Sequence, residues 1–365
     1  MLKSAFPMNE QHAEKGILKA LIEVLKGVPF LKTRAGKANA ATRNGARPYA
    51  AFEARAGQGR PRKLIVEIRK SGQPRYVREA ANQLYRFTAR HPNAYGIVGA
   101  PYISPAAAKI CENEGVGYVD LAGNCRLVFD TIYIVREGSP NPFVRKRDLR
   151  SLYSPRATRV LRVLLNNPSA HWKTRPLADE AAVSLGQVAN IRKLLRDREW
   201  ITESKQGFRL QQPAELLQQW SDNYSFRDHE LHDYYSMSDP GAIAVDLAMA
   251  SVGCPPRNRG PVQIALTGLS GAARTRPGIG YRRLTAFVSE INDAFVGAAG
   301  LKRVSSGANV TLMVPYDEGV FYGTKEYTGV PVVSPVQLYL DLKSYKGRGE
   351  EAAQAIYEDV LRKLW

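Results

Sequence analysis

The sequence holds few of the residues that build covalent or metal-held frameworks. Its 365 residues include three cysteines, Cys111, Cys125 and Cys254, and five histidines. Cysteines so few and so far apart exclude a disulfide framework and a cysteine-ligated zinc site. Only His229 and His232 lie close together in the chain, and their acidic surroundings favour a solvated helix face over a metal site. The histidines and cysteines therefore predict no bound metal.

Long apolar runs are also absent. No run approaches the roughly 20 apolar residues that a membrane-spanning helix needs, and the first residues lack the continuous apolar core of a signal peptide. We therefore expect a cytoplasmic protein in a reducing environment, with no membrane partner.

Acidic residues are scarce relative to basic ones. The chain carries 52 Lys and Arg against 34 Asp and Glu, a net charge of +18, which predicts an anionic partner. Residues 1–150 carry 26 basic and 12 acidic residues, residues 151–222 carry 11 and 7, and residues 223–365 carry 15 of each. The first two thirds of the chain are therefore expected to face nucleic acid, and the neutral last third is not.

Residues 154–210 predict a winged helix-turn-helix, the most interpretable segment of the chain. Ser154-Pro155 and Thr174 begin two helices, and Ser184 with Gln187 has the spacing of a capping box that begins a third, at roughly 185–197. A two-stranded wing with a basic tip follows. The alternative is an ordinary three-helix subdomain whose hairpin serves a protein contact.

The third helix of this segment has two different faces. Leu185, Val188, Ile191 and Leu195 recur at helical spacing and are expected to face inward. The opposite face is small and polar near its N-terminus, so it could approach a DNA groove closely. The predicted DNA contacts in this segment are Ser184, Gly186, Gln187, Asn190, Lys193, Arg196 and, at the wing tip, Lys205.

Residues 1–148 predict a basic α/β domain. Helices alternate with strands at Tyr49–Arg55 and Lys63–Arg69, and Arg60 and Arg62 in the turn between these two strands are further predicted DNA contacts. Residues 33–48 are small, polar and basic, and are interpreted as a loop that tracks phosphates or as a disordered segment.

The order of these elements resembles the restriction-endonuclease-like (PD-(D/E)XK) core. In that family an Asp on one strand and a Glu-x-Lys on the next hold and use Mg²⁺. The matching positions here are Glu53 and Glu67-Ile68-Arg69. An Arg at the Lys position stays charged and cannot accept a proton. We therefore favour a degenerate core that serves as a basic scaffold, without cofactor. The alternatives are an active Mg²⁺-dependent nuclease and a different α/β fold.

Two further motifs invite a functional interpretation but favour a structural one. Asp120 follows a strand and precedes Gly123-Asn124, where an Asp commonly caps the next turn. The segment 267–273 stands between a strand and a helix, where a phosphate would bind, but it lacks the Lys of a P-loop. We interpret it as a tight turn.

The C-terminal residues carry a second family resemblance. The runs 333–342 (VSPVQLYLDL) and 348–353 (RGEEAA), after a winged helix, resemble the AbiEi-type antitoxins and transcriptional regulators of type IV toxin–antitoxin systems. The resemblance covers roughly residues 150–365. It implies an autorepressor that binds inverted repeats through its winged helix, and a C-terminal domain that counteracts a nucleotidyltransferase-like toxin.

Together these observations predict a multidomain α/β and α+β protein. Its three domains are residues 1–148 (restriction-endonuclease-like), 149–222 (winged helix) and 223–365 (mixed α/β). The predicted function is sequence-specific binding of double-stranded DNA in transcriptional regulation. The alternatives are a nuclease aimed by the winged helix and a DNA-binding factor of a mobile element. A homodimer is left open.

Overall fold

The computed structural model describes residues 10–36, 50–142, 152–253, 262–276, 278–345 and 347–365. The chain divides into two compact units, one of Met1–Lys146 with Arg196–Glu199 and one of Arg147–Leu195 with Trp200–Trp365. The predicted boundary after residue 148 falls two residues from this division, whereas the predicted boundary after residue 222 falls inside the second unit.

The first unit is built on a seven-stranded sheet whose spatial order follows the chain. The two central pairings, β3 with β4 and β4 with β5, are parallel, and the four outer pairings are antiparallel. The strands are β1 (Leu31–Gly36), β2 (Ala50–Ala56), β3 (Arg62–Ile68), β4 (Ala94–Ala100), β5 (Gly117–Asp120), β6 (Cys125–Phe129) and β7 (Ile132–Arg136).

Three helices cover the two faces of this sheet. Helix α1 (Glu10–Lys26) packs on the face that carries Leu64 and Val66, and α2 (Pro74–Thr88) with α3 (Pro105–Asn113) on the face that carries Ile65. This alternation follows from the two-residue period of a strand. The predicted α/β order is confirmed, but strand β1 was not predicted. Its last four residues were interpreted as part of the basic segment 33–48. The part of that segment from residue 37 onward lies outside the described residues.

The second unit begins with three helices and a hairpin, called here the helix–hairpin segment (residues 155–210). Its elements are α4 (Pro155–Asn166), α5 (Thr174–Glu180), α6 (Leu185–Asp197), β8 (Ile201–Ser204) and β9 (Gly207–Leu210). Helix α7 (Pro213–Ser221) follows. All three predicted helices and the predicted hairpin are present.

A second seven-stranded sheet, this one mixed and out of chain order, follows in the same unit. Its order is β13-β10-β14-β12-β11-β16-β15. The strands are β10 (Glu230–Tyr235), β11 (Ile264–Leu266), β12 (Leu284–Val288), β13 (Lys302–Arg303), β14 (Val310–Val314), β15 (Lys325–Tyr327) and β16 (Val330–Val332). The polar and acidic sequence of residues 223–240 suggests a linker, but β10 lies there.

Helices cover both faces of the second sheet. Helices α8 (Pro240–Gly253) and α10 (Asp293–Ala298) lie on one face. Helices α9 (Gly268–Thr275), α11 (Pro335–Lys343) and α12 (Arg348–Ile356) lie on the other. A π-helical turn (Tyr357–Leu361) and α13 (Arg362–Leu364) complete the chain, with a short 3₁₀ turn at Phe226–Asp228 and another at Glu318–Phe321.

One hydrophobic core runs through both parts of the second unit. It contains Leu161, Leu164 and Ile191 of the helix–hairpin segment together with Phe287 and Leu340 of the sheet region. The helix–hairpin segment therefore has no separate core of its own. For this reason, the structure shows no domain boundary at the predicted position after residue 222. Among the described residues, no helix has the length and apolar character needed to cross a bilayer.

Candidate nucleic-acid interface

Helix α6 begins at the predicted cap. The Ser184 Oγ accepts a hydrogen bond from the backbone N of Gln187 at 3.2 Å, which satisfies one of the free N–H groups of the first turn. Ser184 is exposed and Gln187 half-buried. The capping prediction for Ser184 is confirmed, and its hydroxyl is already engaged within the helix.

The two faces of α6 are largely as the sequence predicts. Val188, Ile191 and Leu195 are fully buried, but Leu185 is 44% exposed, so its assignment to the inner face was wrong. Leu185 is the first residue of the helix.

The outer face of α6 is open. Gly186, Asn190 and Lys193 are all exposed, and a Cβ added at Gly186 would meet nothing within 4 Å. A surface this low at the start of the helix leaves room for a close neighbour, with an amide and an ammonium group within the next two turns. Arg196, predicted as a further DNA contact, is half-buried and is therefore less accessible than these three residues.

The hairpin is fixed to α6 by a specific contact. Arg192 Nε donates to Glu203 Oε1 at 2.7 Å, and the guanidinium lies 5.2 Å from the centre of the Phe208 ring. The tip residue Lys205 is exposed. The hairpin therefore holds a basic tip in a fixed position relative to the helix.

A bridge extends the hairpin on its other side. Trp172 N donates to Phe208 O at 2.7 Å, and Phe208 N donates back to Trp172 O at 3.0 Å. Gly207, at φ +133°, allows this approach, since a Cβ there would lie 2.4 Å from Trp172 O.

Four exposed basic residues of the same segment were missed by the sequence reasoning: Arg156, Lys173, Arg175 and Arg209. Lys173 and Arg175 stand at the start of α5 and Arg209 stands in β9. The signal available in the sequence was the pair of basic residues, Lys173 and Arg175, at the start of the second helix.

The two arginines predicted in the first unit differ in their surroundings. Arg60 is exposed in the β2–β3 turn. Arg62 is half-buried, and its Nη1 lies 3.5 Å from Asp130 Oδ1. Of these two arginines, Arg62 alone forms an ion pair among the described residues.

The two carboxylates of the nuclease-like motif are not brought together. Glu53 pairs with Lys63 across β2 and β3, so Glu67 lies four residues further along, about 14 Å away at the usual rise per residue. Arg69 Nη1 lies 2.6 Å from Glu67 Oε1 and its Nη2 donates to Gln83 Oε1 at 2.7 Å. Burial raises the pKa of Glu67 despite the opposing charge of Arg69.

These residues do not fit a Mg²⁺ site. Bound Mg²⁺ needs ligands at about 2.1 Å from one point, which carboxylates this far apart cannot supply. In addition, the Glu67 carboxylate is already paired with the guanidinium of Arg69. Among the described residues, no group of three His, Cys, Asp or Glu is placed to hold a metal ion.

Asp120, another carboxylate of this unit that the sequence analysis considered, is structural as predicted. Its Oδ1 accepts from the backbone N of Ala122 and of Asn124 at 2.9 and 2.8 Å. Its Oδ2 accepts from Ile103 N at 3.1 Å and from Asn124 Nδ2 at 2.9 Å. It is fully buried, so it caps the turn after β5.

Sequence reasoning also missed a buried polar cluster in the second unit. Arg162 of α4 is fully buried, lies 5.0 Å from the centre of the Trp220 ring, and donates from Nε and Nη2 to Gln337 Oε1 at 3.1 and 2.6 Å. We use the name buried polar cluster for Arg162, Tyr224, His229, Thr267, Gln337 and Asp341.

The hydrogen bonds of this cluster converge on Asp341. His229 Nδ1 faces the backbone N–H of Tyr316 at 3.4 Å, so Nε2 carries the proton and donates to Tyr224 Oη at 3.0 Å. Tyr224 donates to Asp341 Oδ1 at 2.5 Å, and Thr267 donates to Asp341 Oδ2 at 2.5 Å. The prediction that His229 lies on a solvated helix face was therefore wrong.

Burial dominates the titration of these groups. It raises the pKa of Asp341 to about 6, against the hydrogen bonds from Thr267, Tyr224 and Gln337. It lowers the pKa of His229 to about 4, with a further contribution from the charge of Arg162. Thr267 stands at the turn that could have held a phosphate; its hydroxyl is committed to Asp341, which favours the structural interpretation.

A family match covers the C-terminal part of the chain. Residues 209–362 match the model of a family described as transcriptional regulator, AbiEi antitoxin, type IV TA system. This part of the chain is AbiEi-like. The predicted resemblance is confirmed there, but the match begins within β9, so α4, α5 and α6 lie outside it.

Two solved structures resemble a smaller share of the chain. One, titled as EndoMS in complex with double-stranded DNA, is 19% identical with a TM-score of 0.23, over 32% of this chain and 46% of that one. The other, EndoMS in its apo form, is 17% identical with a TM-score of 0.21, over 29% and 45%. The match spans less than half the length of either structure. No curated protein matches the sequence.

Proposed function

We propose that the chain is a cytoplasmic, cofactor-free transcriptional regulator of the antitoxin type that binds double-stranded DNA through its helix–hairpin segment, acting as a winged helix. The observation that carries the proposal is the open face of α6, with Gly186, Asn190 and Lys193 exposed beside residues that match a family of transcriptional regulators.

Different side chains of this surface serve different purposes. Asn190, in the first half of α6, has an amide that can pair with the edge of an adenine in the major groove. Lys193 and the wing residue Lys205 carry point charges suited to phosphates, which fix position without reading sequence. Lys173, Arg175 and Arg209 extend the basic surface on the same segment.

The first unit adds affinity without sequence choice. Residues 1–150 carry an excess of 14 basic residues, and Arg60 is exposed in a turn of its sheet. Charge of this kind binds the phosphate backbone of any duplex. The AbiEi-like residues carry no excess of basic residues, and we infer that they contact a protein. The family description implies that this protein is a toxin, and a nucleotidyltransferase-like toxin is the candidate.

The proposal is tested by DNA binding across a salt series. The probes are the duplex upstream of the chain's own reading frame and a random duplex of equal length. Asn190→Ala should weaken the first probe about tenfold or more and the second little. Lys193→Ala should weaken both equally and lower the slope of log K against log salt by about 0.9.

The matched control is Lys302→Ala, which removes an exposed lysine of β13, in the second sheet. It should leave both affinities unchanged. A flat salt response of the unmodified chain contradicts DNA binding altogether. Equal effects of Asn190→Ala on both probes contradict the assignment of α6 as the reading helix.

A further inference from the structure

The first sheet ends in a strand that is open on one side. Strand β7 pairs with β6, and in the part of the chain that the structure describes no strand pairs with its outer edge. An edge strand presents a row of free N–H and C=O groups that can template pairing with another strand.

The direction of those groups follows from the hairpin. Phe129 pairs with Ile132 across a turn of two residues, and the pair that closes such a turn is a hydrogen-bonded one. Hydrogen-bonded and non-hydrogen-bonded pairs alternate along an antiparallel ladder. Tyr133 and Val135 are therefore in non-hydrogen-bonded pairs with β6, and their N–H and C=O groups point outward.

The same stretch of edge exposes apolar side chains on one face. Tyr133 is 72% exposed, Val135 is 37% exposed, and Val128, which pairs with Tyr133 on the neighbouring strand, is 37% exposed. The central residues of this strand, Tyr133, Ile134 and Val135, include no proline and no charged residue, two features by which edge strands avoid pairing.

We propose that a second copy of the chain adds to this edge, with β7 pairing antiparallel to β7 of the other copy about a two-fold axis. In the register centred on Ile134, Tyr133 of each copy lies opposite Val135 of the other. These are the residues whose backbone groups point outward, so the two pairs form about four main-chain hydrogen bonds.

The side chains favour this occupant. The two Tyr–Val pairs are aromatic–β-branched cross-strand pairs, a stabilising combination, and they lie beside Val128 of each copy. The strand has Asp130 before its start and Arg136 at its end. In the antiparallel register, Arg136 of each copy lies opposite Ile132 of the other, so the two arginines lie at opposite ends of the contact, whereas parallel pairing would place like charges side by side.

The size of the contact sets its strength. Five residues a side bury less than the roughly 1,600 Å² of a standard stable interface. We therefore expect a dissociation constant on the order of 10 µM, and a monomer–dimer equilibrium rather than a permanent dimer. On an inverted-repeat duplex, two bound copies would be held at high local concentration.

Sedimentation of the full chain between about 1 and 100 µM tests the proposal without DNA. The unmodified chain should shift from monomer to dimer. Val135→Pro should raise the dissociation constant at least about tenfold, because it removes an outward N–H while leaving the ladder to β6 intact. Tyr133→Glu should act in the same direction, and the control Tyr85→Lys, at an exposed position of α2, should not.

The proposal is overturned if the unmodified chain stays monomeric throughout this range. It is also overturned if both β7 variants keep the melting temperature of the unmodified chain and still dimerise as it does. If Val135→Pro lowers the melting temperature of the chain, Tyr133→Glu alone decides the outcome. Because no DNA is present, this result is separate from the test of the proposed function.

Disulfide trapping tests the register. Ile134→Cys should form an intermolecular disulfide under mild oxidation, since residue 134 lies opposite itself in a non-hydrogen-bonded pair, where the Cα atoms are closest. Tyr133→Cys should form one at least about tenfold more slowly. The unmodified chain, with its own three cysteines, is the background. Faster trapping through Tyr133→Cys would overturn the register.

Discussion

Two regions of this chain hold their charged groups in opposite ways. In the first sheet, the nuclease-like motif and the turn beside it have Glu53 and Arg60 exposed, and Glu67 paired with Arg69 near the surface. In the buried polar cluster of the second unit, Arg162 and Asp341 are fully buried and joined through Gln337. Charges near water interact weakly and cost little to remove, whereas a buried charge that loses its partner costs several kcal/mol. The exposed charges of the first region should therefore tolerate substitutions that the buried polar cluster does not.

The largest difference is expected at Arg162. Arg162→Ala should lower the free energy of unfolding of the second unit by about 4 kcal/mol, because it leaves Gln337 without its donor and opens a space beside Trp220. Arg162→Met, which keeps the volume, should cost roughly half as much. Denaturant unfolding followed by tryptophan fluorescence measures both.

Arg60→Ala in the first sheet is the matched control, with an expected change below about 0.5 kcal/mol. A cost at Arg162 as small as that at Arg60 would break the comparison, since it would mean that neither the hydrogen bonds nor the packing of the buried side chain stabilises the fold.

The next largest effect concerns pH. Asp341 has a folded-state pKa of about 6, above its ordinary 3.8, so between these values the folded state holds a proton that the unfolded chain has lost, and stability falls as pH rises. His229 has a folded-state pKa of about 4, below its ordinary 6.5. In that window the unfolded chain holds the extra proton, and stability rises with pH. The two contributions oppose each other, each at about 3 kcal/mol.

The unmodified chain should thus show little net dependence on pH from this cluster between pH 4 and 6.5. Asp341→Asn should expose the histidine contribution, so that stability drops by about 3 kcal/mol on acidification through this window. His229→Gln should give the opposite slope. Unfolding free energies at several pH values measure this, and parallel curves for the two variants would contradict it.

A smaller effect distinguishes binding from stability. Lys205→Ala, at the tip of the hairpin, and Arg60→Ala, in the first sheet, should each change stability by less than about 0.5 kcal/mol. Each should also reduce the salt slope of DNA binding by about 0.9. If Arg60→Ala leaves the slope unchanged, the excess charge of the first unit lies away from DNA.

The smallest effect is expected at the nuclease-like carboxylates. Plasmid incubated with the chain and Mg²⁺ should stay supercoiled, and Glu67→Gln should behave like the unmodified chain, because Glu53 and Glu67 lie about 14 Å apart along their strands. Cleavage that disappears with Glu67→Gln would show that the first sheet carries chemistry as well as charge.

Local pattern predicted much of the fold. The helices at 155–166, 174–180 and 185–197 were expected from caps and helical spacing, and the cap at Ser184 is present. The apolar runs at 284–288 and 310–314 are also typical of strands, and β12 and β14 lie there. The strands that were missed, β1, β10 and β15, are polar. Among the positions of β10, only Tyr234 is buried, so its pattern does not separate it from a linker.

The buried polar cluster could not be predicted in the same way. Its residues come from positions as far apart as 162 and 341, and only the folded chain brings them together. One signal was available: Val160, Leu161, Val163, Leu164 and Leu165 surround Arg162. A helix that is apolar on nearly all sides is packed on more than one side. That pattern indicated that α4 packs against more than its own segment.

The bond between Arg162 and Gln337 has a consequence for how such a protein can change by recombination. A helix–hairpin segment exchanged for that of another protein would bring a new residue to position 162 while Gln337 and Asp341 stayed behind. Unless the incoming helix also supplied a donor for Gln337, the chimera would bury an unsatisfied amide. The helix–hairpin segment and the AbiEi-like part are therefore not interchangeable modules, and functional chimeras should be found only when both sides of this contact are transferred together.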